Sequence, residues 1–175
     1  MIEMPEINLV RMQRIGDLEP IICRIFHSTN ECIVAAELSE SLDLDGLCIV
    51  PTRTILCFDR AFEKADFYRA ALSAWPDVNP HAKLLAELSF SLNQDLRFFA
   101  KRQDVIAVHV ELDEPDICYV GTVKDVTDTE LLLSRISSSG QQISEPLSVE
   151  LGSITKIELA TRYLFAVGYA ARKLT

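Results

Sequence analysis

Val120-Gly-Thr-Val-Lys-Asp-Val-Thr-Asp-Thr-Glu-Leu-Leu-Leu133 reads as two strands meeting at a tight polar turn. Apolar and polar residues alternate on either side of the turn, the period of a half-buried strand. A fainter copy lies about 98 residues earlier, in Ile22-Cys-Arg-Ile-Phe-His-Ser-Thr-Asn-Glu-Cys-Ile-Val-Ala35. The overlay places Ile25 on Val123, Asn30 on Asp128 and Ile33 on Leu131. Further on, Ile49 to Asp59 matches Ser148 to Glu158, with Ile55 on Ile154 and Phe58 on Ile157. The chain is therefore expected to hold two copies of one small β unit, with Ile55 and Ile154 at matching core positions.

Around these stretches the rest of the chain falls into place. Residues 7–14 alternate as a first strand, and Ile21–Phe26 with Cys32–Leu38 form a hairpin about the turn-forming loop His27–Glu31. An acidic stretch, Ser39 to Asp45, closes on Asp45-Gly46, and the short strands Leu47–Val50 and Thr54–Phe58 follow. In the second copy the strands are 105–112, 117–126, 129–136, 147–151 and 153–159, with Ser137–Gln142 as a hairpin tip. Five short strands with tight turns in under 60 residues describe a small barrel.

Between the copies the period changes. Phe62, Ala65, Tyr68, Leu72 and Trp75 recur every three or four residues, as on an amphipathic helix, and Pro76 to Pro80 stop it. Leu85, Leu88, Leu92, Leu96 and Phe99 mark a second helix. Asn93 is placed to cap a piece from Gln94 to Arg102, so this helix is expected to kink there. The tail, Thr161 to Leu174, reads as a helix with Tyr163, Leu164, Val167, Ala171 and Leu174 on one face. The expected division is 1–59, first barrel; 60–103, helical connector; 104–175, second barrel with a C-terminal helix. The fold class is α+β, mainly β.

Composition limits the function. The chain has 175 residues, 49% of them hydrophobic, and a net charge of -9. Residues 1–59 hold 10 acids against 4 bases and 104–175 hold 11 against 6, whereas 60–103 holds 7 bases against 5 acids. Acidic β units repel a phosphate backbone, which argues against nucleic acid. Five cysteines (Cys23, Cys32, Cys48, Cys57, Cys118) fall in apolar strand-like runs without C-x-x-C, the pattern of buried reduced thiols in a cytoplasmic protein. The start of the chain does not read as a signal peptide, and no run is long and apolar enough to span a membrane. His27, His81 and His109 lack ligand-type neighbours at metal spacing, and no hydrolase, phosphate-loop or zinc motif occurs. No catalytic residue, metal or cofactor is expected.

Gly121 with Asp128, and Gly152 with Ile154 and Ile157, resemble the two sequence motifs of the Sm-like fold, a bent five-stranded SH3-like barrel. The chain also resembles an uncharacterised group of bacterial proteins, through Leu42 to Val50 with its Asp45-Gly46 turn and through the helical run Phe62 to Leu72. The Sm resemblance implies two tandem Sm/SH3-like barrels and assembly by pairing of edge strands. Two barrels in one chain would satisfy that pairing internally, giving a monomer or homodimer. The helices at 60–75 and 160–173 would then cover edges or barrel mouths.

RNA-binding Sm proteins stack a base after the acidic residue. Here Thr129 and Glu130 follow Asp128, Leu151 stands where an arginine precedes the second glycine, and the first copy has Pro51-Thr-Arg53 in place of that glycine. RNA binding is therefore the alternative. The leading expectation is a non-catalytic binding or scaffolding module with a protein partner, of an immunity or regulatory type that covers a basic surface. Candidate partner-binding residues are Asp43, Asp45, Arg53, Asp128 and Glu130.

Overall fold

The computed structural model describes residues 7–39, 41–74, 81–115 and 117–174. The first half supplies β1 (Leu9–Arg14), β2 (Ile21–Ser28), β3 (Cys32–Glu37), β4 (Leu47–Pro51) and β5 (Ile55–Asp59). The second supplies β6 (Val105–His109), β7 (Cys118–Val126), β8 (Glu130–Arg135), β9 (Leu147–Glu150) and β10 (Lys156–Leu159). Four helices are interspersed among the described residues: α1 (Ala65–Ala74), α2 (Ala82–Glu87), α3 (Leu92–Arg102) and α4 (Arg162–Leu174). The Trp75 end of the first helix and the Pro76–Pro80 break lie outside the described residues.

All ten strands belong to one open antiparallel sheet, ordered β5-β1-β2-β3-β4-β10-β6-β7-β8-β9. The expected pair of tandem barrels joined by a helical connector is corrected to one open sheet in which the two halves pair directly. The halves meet strand to strand, with Ile49 opposite Ile157, Cys48 opposite Glu158 and Leu47 opposite Leu159. The physical reason lies in the edges. Each exposes a row of unpaired N–H and C=O groups, and two edges within one chain satisfy each other.

Each half repeats the same order, so β6 to β10 stand in the places of β1 to β5. The likeness extends to irregularities. In the first hairpin Ile25 faces Ala35 and His27 faces Val34, which leaves Phe26 as a bulge. In the second, Val123 faces Leu133 and Asp125 faces Leu132, which leaves Lys124. The two turns also match. Thr29 N donates to Cys32 O, and its hydroxyl accepts from the N–H groups of Glu31 and Cys32. Thr127 N donates to Glu130 O, and its hydroxyl accepts from Thr129 and Glu130. A bulge with a threonine-closed turn thus recurs at the spacing of the sequence repeat.

The copies differ where their surroundings differ. Ile154 and Ile157 are fully buried, whereas Ile55 is half-buried and Phe58 is 38% exposed. β10 has a neighbour strand on both sides, and β5 ends the sheet.

Alternation sends opposite faces of the sheet into different cores. On one face Val34, Ile49, Ile106, Val108, Ile157 and Leu159 pack with Leu88, Leu96 and Phe99 from the α2–α3 segment. On the other, Val10, Met12, Cys23, Ile33, Ala35 and Val50 fill the first half. Ala107 and Val120 of the second half are covered by Leu164, Val167 and Ala171 of α4. Each fully buried aliphatic or aromatic side chain contributes about 1.5–3 kcal/mol. Phe62 and Ala65 close over Leu9, with Tyr68 and Leu72 packed alongside. The helical connector is therefore part of the shared packing. Tyr163, expected on the buried face of α4, is 48% exposed.

The second connector helix is broken rather than kinked. α2 ends at Glu87, and α3 begins at Leu92 after an N-cap at Ser91, not at Asn93. Asp95 explains the break: its buried carboxylate accepts from Ser89 N (2.7 Å), Ser89 Oγ (2.7 Å) and Phe90 N (3.1 Å). A carboxylate in the first helical turn thus fastens the preceding extended residues by charge-assisted hydrogen bonds. Asn93 instead donates from Nδ2 to Thr127 O at 2.8 Å, tying α3 to the second hairpin turn.

Candidate functional site

The five residues expected to bind a partner fall at two places. Asp43 and Asp45 sit at the start of α4, where Asp45 Oδ1 accepts from Arg162 N at 3.0 Å and Asp43 Oδ2 lies 3.7 Å from Arg162 Nη2. A carboxylate there satisfies a free helix N–H and complements the helix dipole. Gly46 has φ of +71°, and a Cβ on it would lie 2.6 Å from Leu159 O. The Asp45-Gly46 turn therefore brings the acidic loop against the end of β10.

Arg53, Asp128 and Glu130 gather elsewhere. Arg53 Nη2 lies 2.9 Å from each of the carbonyl oxygens of Leu151, Gly152 and Ile154. Two N–H bonds serve three acceptors, so at least one is shared. Leu151 and Gly152 line a shallow depression with Asp128, Thr129, Glu130 and Glu150. Asp128 is held at 3.2 Å by Arg97. Arg53 is thus engaged with the second half of its own chain, while Asp128 and Glu130 form an acidic rim with Glu150.

A second arrangement has no counterpart among the sequence candidates. Seven ionisable side chains form a chain across the junction of the halves. Arg14 of β1 pairs with Asp17 and, at 3.4 Å, with Glu111. His109 of β6 lies between two carboxylates, with Nδ1 3.3 Å from Glu111 and Nε2 3.2 Å from Glu158. Lys156 of β10 bridges Glu158 (2.7 Å) and Glu37 of β3 (3.1 Å). The side chains of Arg14 and Lys156 are 3% and 9% exposed, whereas that of Glu37 opens to solvent at 36%.

Electrostatics follows from this geometry. Burial disfavours the charged form of His109, but the carboxylates of Glu111 and Glu158 on either side outweigh it and raise the pKa. Glu158 is likewise opposed by burial, yet His109 and Lys156 hold it down to about 2. Lys156 loses solvation but is raised by Glu37 and Glu158. With His109 protonated, three cations (Arg14, His109, Lys156) face four anions (Asp17, Glu37, Glu111, Glu158), a net charge of -1. Removing a buried partner leaves an uncompensated charge, so such a network constrains orientation more than it adds net stability.

Chemically, the residue opposite His109 on β7 is a cysteine, Cys118. That pair does not form an activated nucleophile. Both ring nitrogens are directed at carboxylates, and partial desolvation together with Glu158 raises the pKa of the Cys118 thiol, although the residue is exposed. Among the described residues, no group of three or more His, Cys, Asp or Glu side chains is placed to hold a metal ion.

Comparison with known proteins returned no matching family, curated protein or solved structure.

The other histidines and the cysteines are placed as follows. His27 stacks on Phe90 with ring centroids 3.7 Å apart, and His81 is the N-cap residue of α2. All five thiols are free; Cys23, Cys32 and Cys48 are buried, but Cys57 and Cys118 are exposed. The expectation of burial fails for these two because one lies on the terminal strand β5 and the other opens β7. Among the described residues, no helix is long and apolar enough to cross a membrane.

Proposed function

We propose that this chain is a non-catalytic scaffolding protein of two Sm-like units fused through β4 and β10, which binds a protein partner by strand addition at its outer edges. The observation that carries this reading is the position of the end strands. β5 and β9 occupy, in the repeated order, the places of β10 and β4, the two strands that pair at the junction. Each outer edge is therefore of a kind that this chain already uses for pairing. β5 also exposes apolar side chains: Leu56 is 64% and Phe58 38% exposed. Main-chain hydrogen bonds from an added strand supply affinity at such an edge, and adjacent side chains supply specificity.

The acidic surface favours a basic partner, as in immunity-type or regulatory proteins. Asp128, Glu130 and Glu150 share one depression at the turn where an RNA-binding Sm protein would hold a base. That supports a protein partner over RNA. With one edge of each unit consumed internally, the resting species is a monomer or homodimer in the cytoplasm.

The test is affinity capture from the native host with wild-type chain and with the edge variants Leu56→Lys and Ser148→Lys, each checked for an unchanged unfolding midpoint. The proposal expects a protein retained by wild type and lost from at least one edge variant. Equal capture by all three, or retention on RNA that falls steeply with salt, contradicts it.

A further inference from the structure

Where β6 begins and β10 ends, a cleft of about 370 Å³ separates the α2–α3 segment from α4. Buried Phe99, Leu159 and Leu164 form its floor, and its accessible apolar surface comes from Leu84, Val105 and Phe165, the last 72% exposed at the lip. Small-molecule sites are typically apolar with a few polar groups that fix orientation.

Gly168 is buried and lets α4 approach β6. A Cβ there would lie 3.0 Å from Val105 Cγ2 and 3.7 Å from Arg172 Nη1, so the glycine brings the helix close to β6 with Arg172 beside it. The two arginines of the cleft differ. Arg102 is neutralised by Glu87 and by Asp104 and lies over the Phe98 ring. Arg172 makes no ion pair to a described residue. Glu87 and Asp104 together offset both arginines, so the cleft is neutral overall, with Arg172 as the cation that no described carboxylate pairs. α3 and α4 each also end on two basic residues, Lys101 with Arg102 and Arg172 with Lys173.

We propose that this cleft binds a small amphipathic carboxylate, with its hydrocarbon body against Leu84, Val105 and Phe165 and its carboxylate on the guanidinium of Arg172. Arginine suits that role because its planar fork pairs with a carboxylate through two parallel hydrogen bonds. The site is separate from the outer sheet edges and does not depend on what binds there.

Octanoate is the probe. Titrated into the 15N-labelled full chain, it is expected to give saturable shifts centred on the amides of Val105, Ala160 and Gly168. Arg172→Gln weakens binding about tenfold or more, the scale of a lost charge-assisted hydrogen bond. Lys173→Gln, whose ammonium lies over the Tyr169 ring, leaves binding unchanged. 1-Octanol, with the same tail and no charge, binds wild type as weakly as octanoate binds Arg172→Gln. Shifts scattered over the surface, no saturation up to about 10 mM, a concentration set by the weakest ligand class of interest, or equal affinity for folded Arg172→Gln would each overturn the proposal.

Discussion

Arg53 donates a hydrogen bond of 2.9 Å to the carbonyl of Gly152, the residue that occupies its own place in the second copy of the repeat. Both follow the strand that pairs along the third member of each hairpin series, Pro51 opposite Cys32 and Glu150 opposite Glu130. A position that is a glycine in one copy has become, in the other, a side chain that fastens the copies together. Arg53→Ala is expected to destabilise the chain by about 1 kcal/mol, the low end for charged donors because the site is exposed. A shift in the urea midpoint measures it, and an unchanged midpoint would show that the contact contributes nothing.

Gly121 and Gly152 should respond differently to the same substitution. A Cβ on Gly121 would lie 2.1 Å from Ser134 O in the paired strand, whereas one on Gly152 meets nothing within 4 Å. Gly121→Ala is expected to cost about 3 kcal/mol or more, since backbone must move. Gly152→Ala should stay within about 0.5 kcal/mol of wild type. Denaturant unfolding of the two variants side by side checks this contrast.

The seam sets a pH dependence with a definite sign. The folded pKa of His109 lies above its ordinary value of 6.5, so its contribution is present below 6.5 and is lost as pH rises through the folded value. Glu158, held at about 2 against an ordinary 4.5, contributes above 4.5 and loses that contribution as pH falls toward 2. Urea midpoints should therefore fall as pH rises above 6.5, and His109→Gln should flatten that slope while leaving the acid limb. A slope unchanged in the variant would remove His109 from the account.

Thiol reactivity should divide the cysteines. Cys57 and Cys118 are exposed, while Cys23, Cys32 and Cys48 are buried, and burial pushes Cys48 up to about 12. Iodoacetamide on the folded chain, read by peptide mass spectrometry, is expected to label Cys57 and Cys118 and to reach the others only after unfolding. Rapid labelling of Cys48 in the folded chain would contradict the described core.

The hairpins, the connector helices and the offset that superposes Ile25 on Val123 were legible because they depend on local period and turn chemistry. The junction was not. Leu47 pairs with Leu159 and Ile49 with Ile157, and nothing in either short apolar run marks the other as its neighbour. The same holds for the acidic turn, since Asp45 caps a helix 117 residues away. Of the candidate residues, Asp128 and Glu130 share one turn in the sequence, but nothing in the repeat sets Arg53 of the first copy against Gly152 of the second. Lys156 and Glu158 left one usable signal: they alternate with the buried Ile157 and Leu159, so two opposite charges share the other face of β10. Recognising a seam from this requires knowing which strand lies beside it.

The central claim is that two copies of one unit are locked into a single sheet through β4 and β10, leaving β5 and β9 as open edges. Native-state amide hydrogen exchange tests it most directly, because protection reports both pairing and the cooperative unit that must open. The account predicts that the paired amides of β4 and β10, around Ile49 and Ile157, exchange only through global unfolding, as slowly as those around Val34 and Val108. The outward amides of β5 and β9 should exchange much faster. Fast exchange along β4 and β10, with each half protected separately, would contradict it.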